Sequence, residues 1–323
     1  MSLTDNCGRP LLNLRISITQ RCNNRCAYCH REGEVQRANR SAELMSVGEI
    51  VRMAKVAVDL GIARIKLTGG EPLMRKDLVE IVAGIAAIPG LRDLSLTTNG
   101  LLLGCGMAKK LRECGLKRVN ISLPSLNPET YHNLTGGKVE AALEGIKAAI
   151  EAGFCPVKLN TVVLKNVNVA DVPDLIEYAG KMGVVLQLIE LDPVNVGNKY
   201  YSEHHRSLDE QETLLKTQAT SIEKRPLMHN RVVYHLPNST VEIVKPIENT
   251  DFCMHCTRMR ITSDGKLKPC LMRNDNLTDI LTPIRRGSSE EELKHLFVEA
   301  NKLREPYNKS TQLKQSSGQV SQY

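Results

Sequence analysis

Between Asn13 and Glu190 the sequence alternates six short β-branched runs with amphipathic runs of helical spacing. No other feature limits the fold so strongly. The strand-like runs are Leu14–Ile18, Arg64–Thr68, Asp93–Thr97, Arg118–Leu123, Val157–Val163 and Val184–Glu190. The helical runs are Val47–Leu60, Asp77–Ala87, Met107–Cys114, Val139–Ala152 and Asp171–Met182. Ser46 stands where a helix N-cap belongs, and Gly61, Gly153 and Gly183 stand where helices should stop. Strands separated by helices pair in parallel through right-handed crossovers. Six such units predict an α/β protein built as a partial parallel (β/α)6 barrel rather than an open doubly wound sheet.

After Asp192 the pattern changes. A polar stretch leads to a helix near Ser207–Gln218, and short strand-like runs follow at Arg231–Leu236, Val241–Val244 and Arg258–Thr262. Ser263-Asp264-Gly265-Lys266 then reads as a hairpin turn before Leu267–Leu271. This organisation predicts a barrel core over residues 1–200, a C-terminal α+β region over 201–306 and a polar, disordered tail over 307–323.

A chain of 323 residues with 41% hydrophobic content can bury a sizeable core. Its longest apolar stretches, such as Leu78 to Ile88, are far too short to span a membrane. The polar start MSLTDNCGRP lacks the apolar region of a signal peptide. Both features point to the cytoplasm, where clustered thiols mean metal or redox chemistry more often than disulfides. A net charge of +7 suits a phosphate-bearing partner. Aromatic residues make up only 3%, with no tryptophan. That scarcity argues against a stacking platform for nucleic acid and for a small anionic substrate.

Six of the ten cysteines fall into two tight groups: Cys22, Cys26 and Cys29 in RCNNRCAYCHREG, and Cys253, Cys256 and Cys270 in FCMHCTRMRITSDGKLKPC. Thiolates are soft ligands suited to iron–sulfur clusters. Three cysteines on a four-iron cluster leave one iron without a protein ligand, and an open metal position separates a reactive centre from a closed structural one. Zinc is the alternative in each group. His30 could complete a zinc site beside the first trio. His255 could serve the second, although it lies inside the Cys-x2-Cys pair, and a zinc ribbon would need a second pair. The first trio directly follows the first strand, at the C-terminal mouth of a parallel barrel, where active sites gather. Cys7, Cys105, Cys114 and Cys155 carry no ligand pattern and are expected to pack or lie at the surface.

The run LRISITQRCNNRCAYCHREG resembles the opening motif of the radical S-adenosylmethionine enzymes, and Thr68-Gly69-Gly70-Glu71-Pro72, one β/α unit later, resembles their GGEP motif. The resemblance implies a TIM-like partial barrel whose first 4Fe-4S cluster, on Cys22, Cys26 and Cys29, binds S-adenosylmethionine. It places Tyr28 against the adenine, brings Gly70 to the methionine amino group with a bare backbone, and has Ser122 contact the same cofactor. Packing alone would also account for Tyr28, and an ordinary βα turn for a lone GGEP.

CTRMRITSDGKLKPCL is similar to the C-terminal motif of the MoaA family, which acts in molybdenum cofactor biosynthesis. This resemblance implies a second 4Fe-4S cluster on Cys253, Cys256 and Cys270, and GTP as the substrate rearranged to a 3′,8-cyclic dihydro-GTP. Its implied GTP contacts are Arg15, Lys66, Thr97, Lys158, Arg258, Met259 and Arg260. Arg258 and Arg260 alternate along a strand and so share a face, which makes a triphosphate clamp or simply a solvated face. Without the resemblance, Ser122 and Thr97 read as ordinary strand residues and Lys158 as solvent-exposed.

No side chain is implied as acid or base. The reactive species is a 5′-deoxyadenosyl radical, an external donor supplies one electron, and a downstream cyclic pyranopterin synthase takes the product. A homodimer is an open alternative to a monomer. The sequence departs from bacterial members at three places. Gln187-Leu188-Ile189-Glu190-Leu191-Asp192 stands for Arg-Phe-Ile-Glu-x-Met, Ser122-Leu123-Pro124 for Ser-Leu-Asp, and the ending SSGQVSQY for Gly-Gly. CHREG and Arg304–Tyr307 look archaeal. Two other readings stay open: a radical enzyme of another branch that modifies a peptide, and a zinc-stabilised nucleic-acid-binding protein.

Overall fold

A computed structural model of the chain describes residues 3–35, 45–104 and 106–308. Residues 309–323 of the expected disordered tail, and Cys105, lie outside the described residues. Strands β1 (Asn13–Ser17), β2 (Arg64–Thr68), β3 (Asp93–Thr98), β4 (Arg118–Ser122), β5 (Val157–Val163) and β6 (Val185–Glu190) lie side by side in chain order, all parallel. Between them run α1 (Val47–Asp59), α2 (Leu78–Ala86), α3 (Met107–Glu113), α4 (Pro128–Thr135), α5 (Val139–Glu151) and α6 (Val172–Lys181).

The α/β alternation expected from the sequence is present. Ser46 caps α1 in a reciprocal box with Glu49. Helix α4 is an addition. Asn127 caps it, accepting from the Glu129 and Thr130 N–H groups, and Pro128 opens it. Its weak apolar periodicity hid it from a pattern reading.

Each strand reads with period two. Leu14, Ile16, Ile65, Leu67, Leu94, Leu96, Val119, Ile121, Leu186 and Leu188 are each 1% exposed or less and share one core with the helices. Burying each contributes about 1.5–3 kcal/mol. The intervening positions carry Arg15, Lys66, Asn120, Lys158 and Gln187, which line a cavity on the opposite face.

Six parallel strands are expected from the sequence, and the described residues form eight. After α7 (Asn198–His204) and α8 (Asp209–Gln218) come β7 (Ser221–Arg225), β8 (Arg231–His235) and β9 (Thr240–Val244). β9 pairs parallel with β6, and β8 and β7 continue outward antiparallel. α9 (Thr250–Met254) leads to β10 (Arg258–Ile261), which pairs parallel with β1. The predicted hairpin turn then joins β10 to β11 (Lys266–Lys268), and β12 (Thr278–Asp279) follows before α10 (Leu281–Arg285) and α11 (Glu290–Lys302). The C-terminal region thus extends both edges of one 12-stranded sheet. Periodicity identifies a strand but not its neighbour, so these pairings were not readable from it.

The β7–β8 connection, near one end of this sheet, reaches the segment that leads into β10 near the other. Thr257 Oγ1 donates to the Leu227 carbonyl at 3.0 Å, the His229 N–H donates to the His255 carbonyl at 3.1 Å, and Asn230 Nδ2 donates to Asp251 Oδ2 at 2.6 Å. These bonds tie the β7–β8 connection to the segment before β10 and curl the sheet round its polar face. Among the described residues no helix is long and apolar enough to cross a membrane.

Candidate active site

The chain leaves β1 into the loop that carries the first cysteine trio. Main-chain bonds fix this loop from two sides. The Gly70 N–H donates to Thr19 O at 2.6 Å and the Glu71 N–H to Arg21 O at 2.7 Å, while the Arg25 and Ala27 N–H groups donate to Thr135 and Leu134 at the end of α4. A Cβ on Gly70 would lie 2.2 Å from the Arg21 carbonyl oxygen, so its bare backbone serves the loop itself. The buried Glu71 carboxylate accepts from Thr98 Oγ1 and the Asn99 N–H, both at 2.7 Å, and joins the ends of β2 and β3.

Cys22, Cys26 and Cys29 are free and line one cavity. Burial, then the charges of Cys29 and Cys22, pushes the Cys26 thiol up to about 12. A cationic iron–sulfur core would offset that penalty, and the Asn24 N–H already points at Cys22 Sγ at 3.4 Å. Three soft donors with main-chain N–H support fit a cluster. Tyr28, in the same wall, packs on Leu134, Leu164, Leu191 and Val196.

The second trio stands on α9, just after it, and just beyond β11. Cys253, Cys256 and Cys270 are also free and open onto the same cavity. Arg9 donates to the Cys253 carbonyl at 2.8 Å and Arg304 to the Cys256 carbonyl at 2.5 Å. Asp5 pairs with both guanidiniums, at 2.8 and 3.4 Å. All three side chains are buried. Burial opposes ionisation of Cys256, yet the charges of Arg304, Arg258 and Arg9 hold its thiol below the usual range. A thiolate placed this way suits a cluster ligand as well.

The segment from Cys29 to Glu34 joins the two trios. Glu34 accepts from the Ser263 N–H at 3.0 Å and from Gln20 at 2.9 Å, and Gly33, at φ 71°, lies so close to the chain after Cys270 that a Cβ would come within 2.4 Å of the Leu271 carbonyl.

The cavity holds about 710 Å³, within the range of small-molecule sites. Its walls are cationic. Arg15 and Arg260 share Glu32, at 3.3 and 3.5 Å. Burial opposes the Glu32 charge, but these two arginines bring its pKa down to about 2. Arg258, beside them, has no ion-pair partner for its guanidinium among the described residues; burial and then Arg15, Arg260 and Arg231 hold its pKa well below the ordinary value. Lys66 donates to Asn120 at 2.8 Å, Asn120 to Gln187 at 2.9 Å, and Gln187 to Glu242 at 2.6 Å. Glu242 is fully buried and also pairs with Lys158, Arg231 and Arg225.

Thr97 and Ser122 line the same walls, so the structure brings together every site residue expected from the sequence except one. Met259 is 0% exposed and its side chain belongs to the core, because it alternates with Arg258 and Arg260. Lys158, read as exposed without the resemblance, is 3% exposed deep in the barrel. The sequence reading missed Glu32, Glu242, Arg231, Arg9, Asp5 and Arg304, since nothing local marks a charge as buried. Of the other cysteines, Cys7 and Cys155 are exposed and Cys114 packs against the core.

Comparison with known proteins agrees with this arrangement. The family described as the Radical SAM superfamily matches residues 16–179, and the one described as Molybdenum Cofactor Synthesis C matches residues 184–310. A probable GTP 3',8-cyclase of Methanocaldococcus jannaschii is 44% identical over 308 residues, 95% of this chain and 99% of the relative. Another from Thermococcus kodakarensis is 46% identical over 312 residues, 94% of this chain and 99% of its own. Among solved structures, Streptococcus suis SuiB bound to S-adenosylmethionine superposes with a TM-score of 0.64 at 18% identity, over 84% of this chain and 64% of that longer one. Methylornithine synthase (PylB) gives 0.54 at 16% identity, over 89% of this chain and 86% of its own. These likenesses show the fold. The two family matches and the relatives that span nearly the whole chain establish that this chain belongs to the GTP 3',8-cyclase family of radical SAM proteins.

Proposed function

We propose that the chain converts GTP to (8S)-3′,8-cyclo-7,8-dihydroguanosine 5′-triphosphate in molybdenum cofactor biosynthesis. The observation that supports this reading best is that both cysteine trios open onto one cavity whose walls carry Arg15, Lys66, Lys158, Arg258 and Arg260. Cys22, Cys26 and Cys29 would hold one 4Fe-4S cluster, and Cys253, Cys256 and Cys270 the other, each with one iron left open. When bound, the first cluster with S-adenosylmethionine supplies a carbon radical able to take the ribose 3′ hydrogen, and the second offers an iron to the purine.

The chain's own residues orient and enclose. Tyr28, Gly70 and Ser122 face S-adenosylmethionine. Arg258, without a carboxylate partner among the described residues, leads the grip on the phosphates, with Arg15 and Arg260 partly neutralised by Glu32 beside it. Lys158 donates one hydrogen bond to Glu242 and keeps two N–H groups for the substrate, and Lys66 and Thr97 complete that wall. Met259 acts only from behind the sheet. An external one-electron donor and a downstream cyclic pyranopterin synthase belong to this reading. Self-association is not required, because one chain supplies both trios.

The experiment is anaerobic reconstitution followed by product analysis. About eight irons per chain should be bound, and the cyclic nucleotide should form only when GTP is present, with 5′-deoxyadenosine produced alongside it. One or two zincs in place of iron, or turnover indifferent to GTP, would sink the reading, and the latter result would favour a peptide-modifying branch.

A further inference from the structure

We propose that the β7–β8 hairpin is part of the substrate site and that Arg231 is a ligand for the phosphate chain of GTP. The inference rests on the cyclase reading. Arg231 opens β8 and lines the cavity. Its side chain is only 10% exposed. One Nη donates to Glu242 at 3.2 Å, and its buried Nε has no partner among the described residues. A buried N–H without an acceptor is unfavourable, and such a group marks a place where something else binds. Glu242 does not depend on Arg231, since Lys158, Arg225 and Gln187 contact the same carboxylate. Three cations around one carboxylate leave positive charge in surplus, facing the cavity.

His229, two residues earlier, is left open in a complementary way. It is 6% exposed and stacks on Phe252 with ring centroids 4.1 Å apart. Its Nδ1 lies 3.2 Å from the Phe252 carbonyl, which can only accept, so Nδ1 carries the proton and Nε2 is an acceptor. That Nε2 is buried with no partner among the described residues. A turn that buries an unfilled donor and an unfilled acceptor beside one cavity suits a ligand with both anionic oxygens and N–H groups. A guanine nucleotide has both.

The bonds from this turn to the segment before β10 bring Arg231 within electrostatic reach of the other arginines. Burial, opposed by the attraction of Glu32 and reinforced by the charges of Arg260 and Arg231, lowers the Arg15 pKa to about 10. Arg258 feels the same neighbours. A triphosphate laid between Arg15 and Arg258 therefore has Arg231 at hand from the opposite edge of the sheet.

The test is titration calorimetry of GTP and of GMP with full-length, anaerobically reconstituted protein, as wild type, Arg231→Gln and Arg231→Lys. Arg231→Gln should weaken GTP about ten- to a hundred-fold, the weight of a charge-assisted hydrogen bond. GMP should change far less, and Arg231→Lys should recover part of the loss. Equal losses for both nucleotides would make Arg231 a scaffold residue, and an unchanged GTP affinity would remove it from the site; either overturns the proposal. Wild-type protein that ignores GTP would overturn the cyclase reading, and this inference with it.

Discussion

The two cysteine trios share a cavity but are held in place by different physics. The first lies on a loop pinned by main-chain hydrogen bonds to its immediate neighbours, the GGEP turn and the end of α4. The second is clamped by buried charge: Arg9 and Arg304 hold the carbonyls of Cys253 and Cys256, and Asp5 holds both arginines. A main-chain clasp fixes geometry and adds no net charge. A guanidinium clamp also places positive charge beside the sulfurs, and that charge favours thiolate at Cys256. Each mode of support has its own weak point: close packing in the first, an uncompensated ion in the second.

The largest expected effect comes from overfilling the clasp. Gly70→Ala drives a methyl group into the Arg21 carbonyl and must displace the first loop. Iron should fall from about eight toward about four per chain, and S-adenosylmethionine cleavage should vanish while the second trio keeps its metal. Full iron content with normal cleavage would show that the loop gives way at no cost.

Breaking the clamp should do less. Arg304→Met takes the partner from the Cys256 carbonyl and one of two from Asp5, at about 3 kcal/mol for a buried pair. Urea unfolding should show that loss, and a chelator should strip the second cluster first. Unaltered stability would mean that Arg9 alone suffices. Smallest is a contrast between two neighbours. Arg258→Ala should weaken GTP about ten- to a hundred-fold, and Arg260→Ala less, because Glu32 already occupies part of Arg260. S-adenosylmethionine cleavage without product should persist in both. Equal losses would show that Glu32 releases Arg260 when substrate arrives.

Much of the first half was legible in the sequence. Leu14 and Ile16 against Arg15, or Ile65 and Leu67 against Lys66, state a two-faced strand in five residues, and the cysteine trio with GGEP one unit later states the loop. The second trio was visible by spacing, but its support was not. Asp5, Arg9 and Arg304 are ordinary charges until folding places them together, with Arg304 bonded to Arg9 across 295 residues and paired with Asp5 from still farther along the chain. Met259 belongs to the same contiguous motif as Arg258 and Arg260, but strand alternation turns its side chain to the core and leaves only its main chain toward the cavity face. Lys158 reads as a surface lysine unless Glu242, on β9, is known to lie beside it. The sequence shows the substitution at Gln187 but not its consequence, which is a neutral link between Asn120 and Glu242.

The parallel pairing of β10 with β1 also governs the order in which the molecule can be assembled. Asn13 and Thr257 hydrogen-bond across 244 residues of sequence. On a growing chain, β1 can gain β2 early, but its other side is a bare strand edge until the last quarter of the polypeptide arrives. Contacts so distant in sequence form late, because loop closure comes first and its reward afterwards. Biogenesis therefore runs toward a single closing event, in which β10 seals that edge, brings Cys253, Cys256 and Cys270 opposite the first loop, and draws the β7–β8 turn across the gap. Until that moment the newborn protein has half a vessel, so full catalytic competence is the last property it acquires.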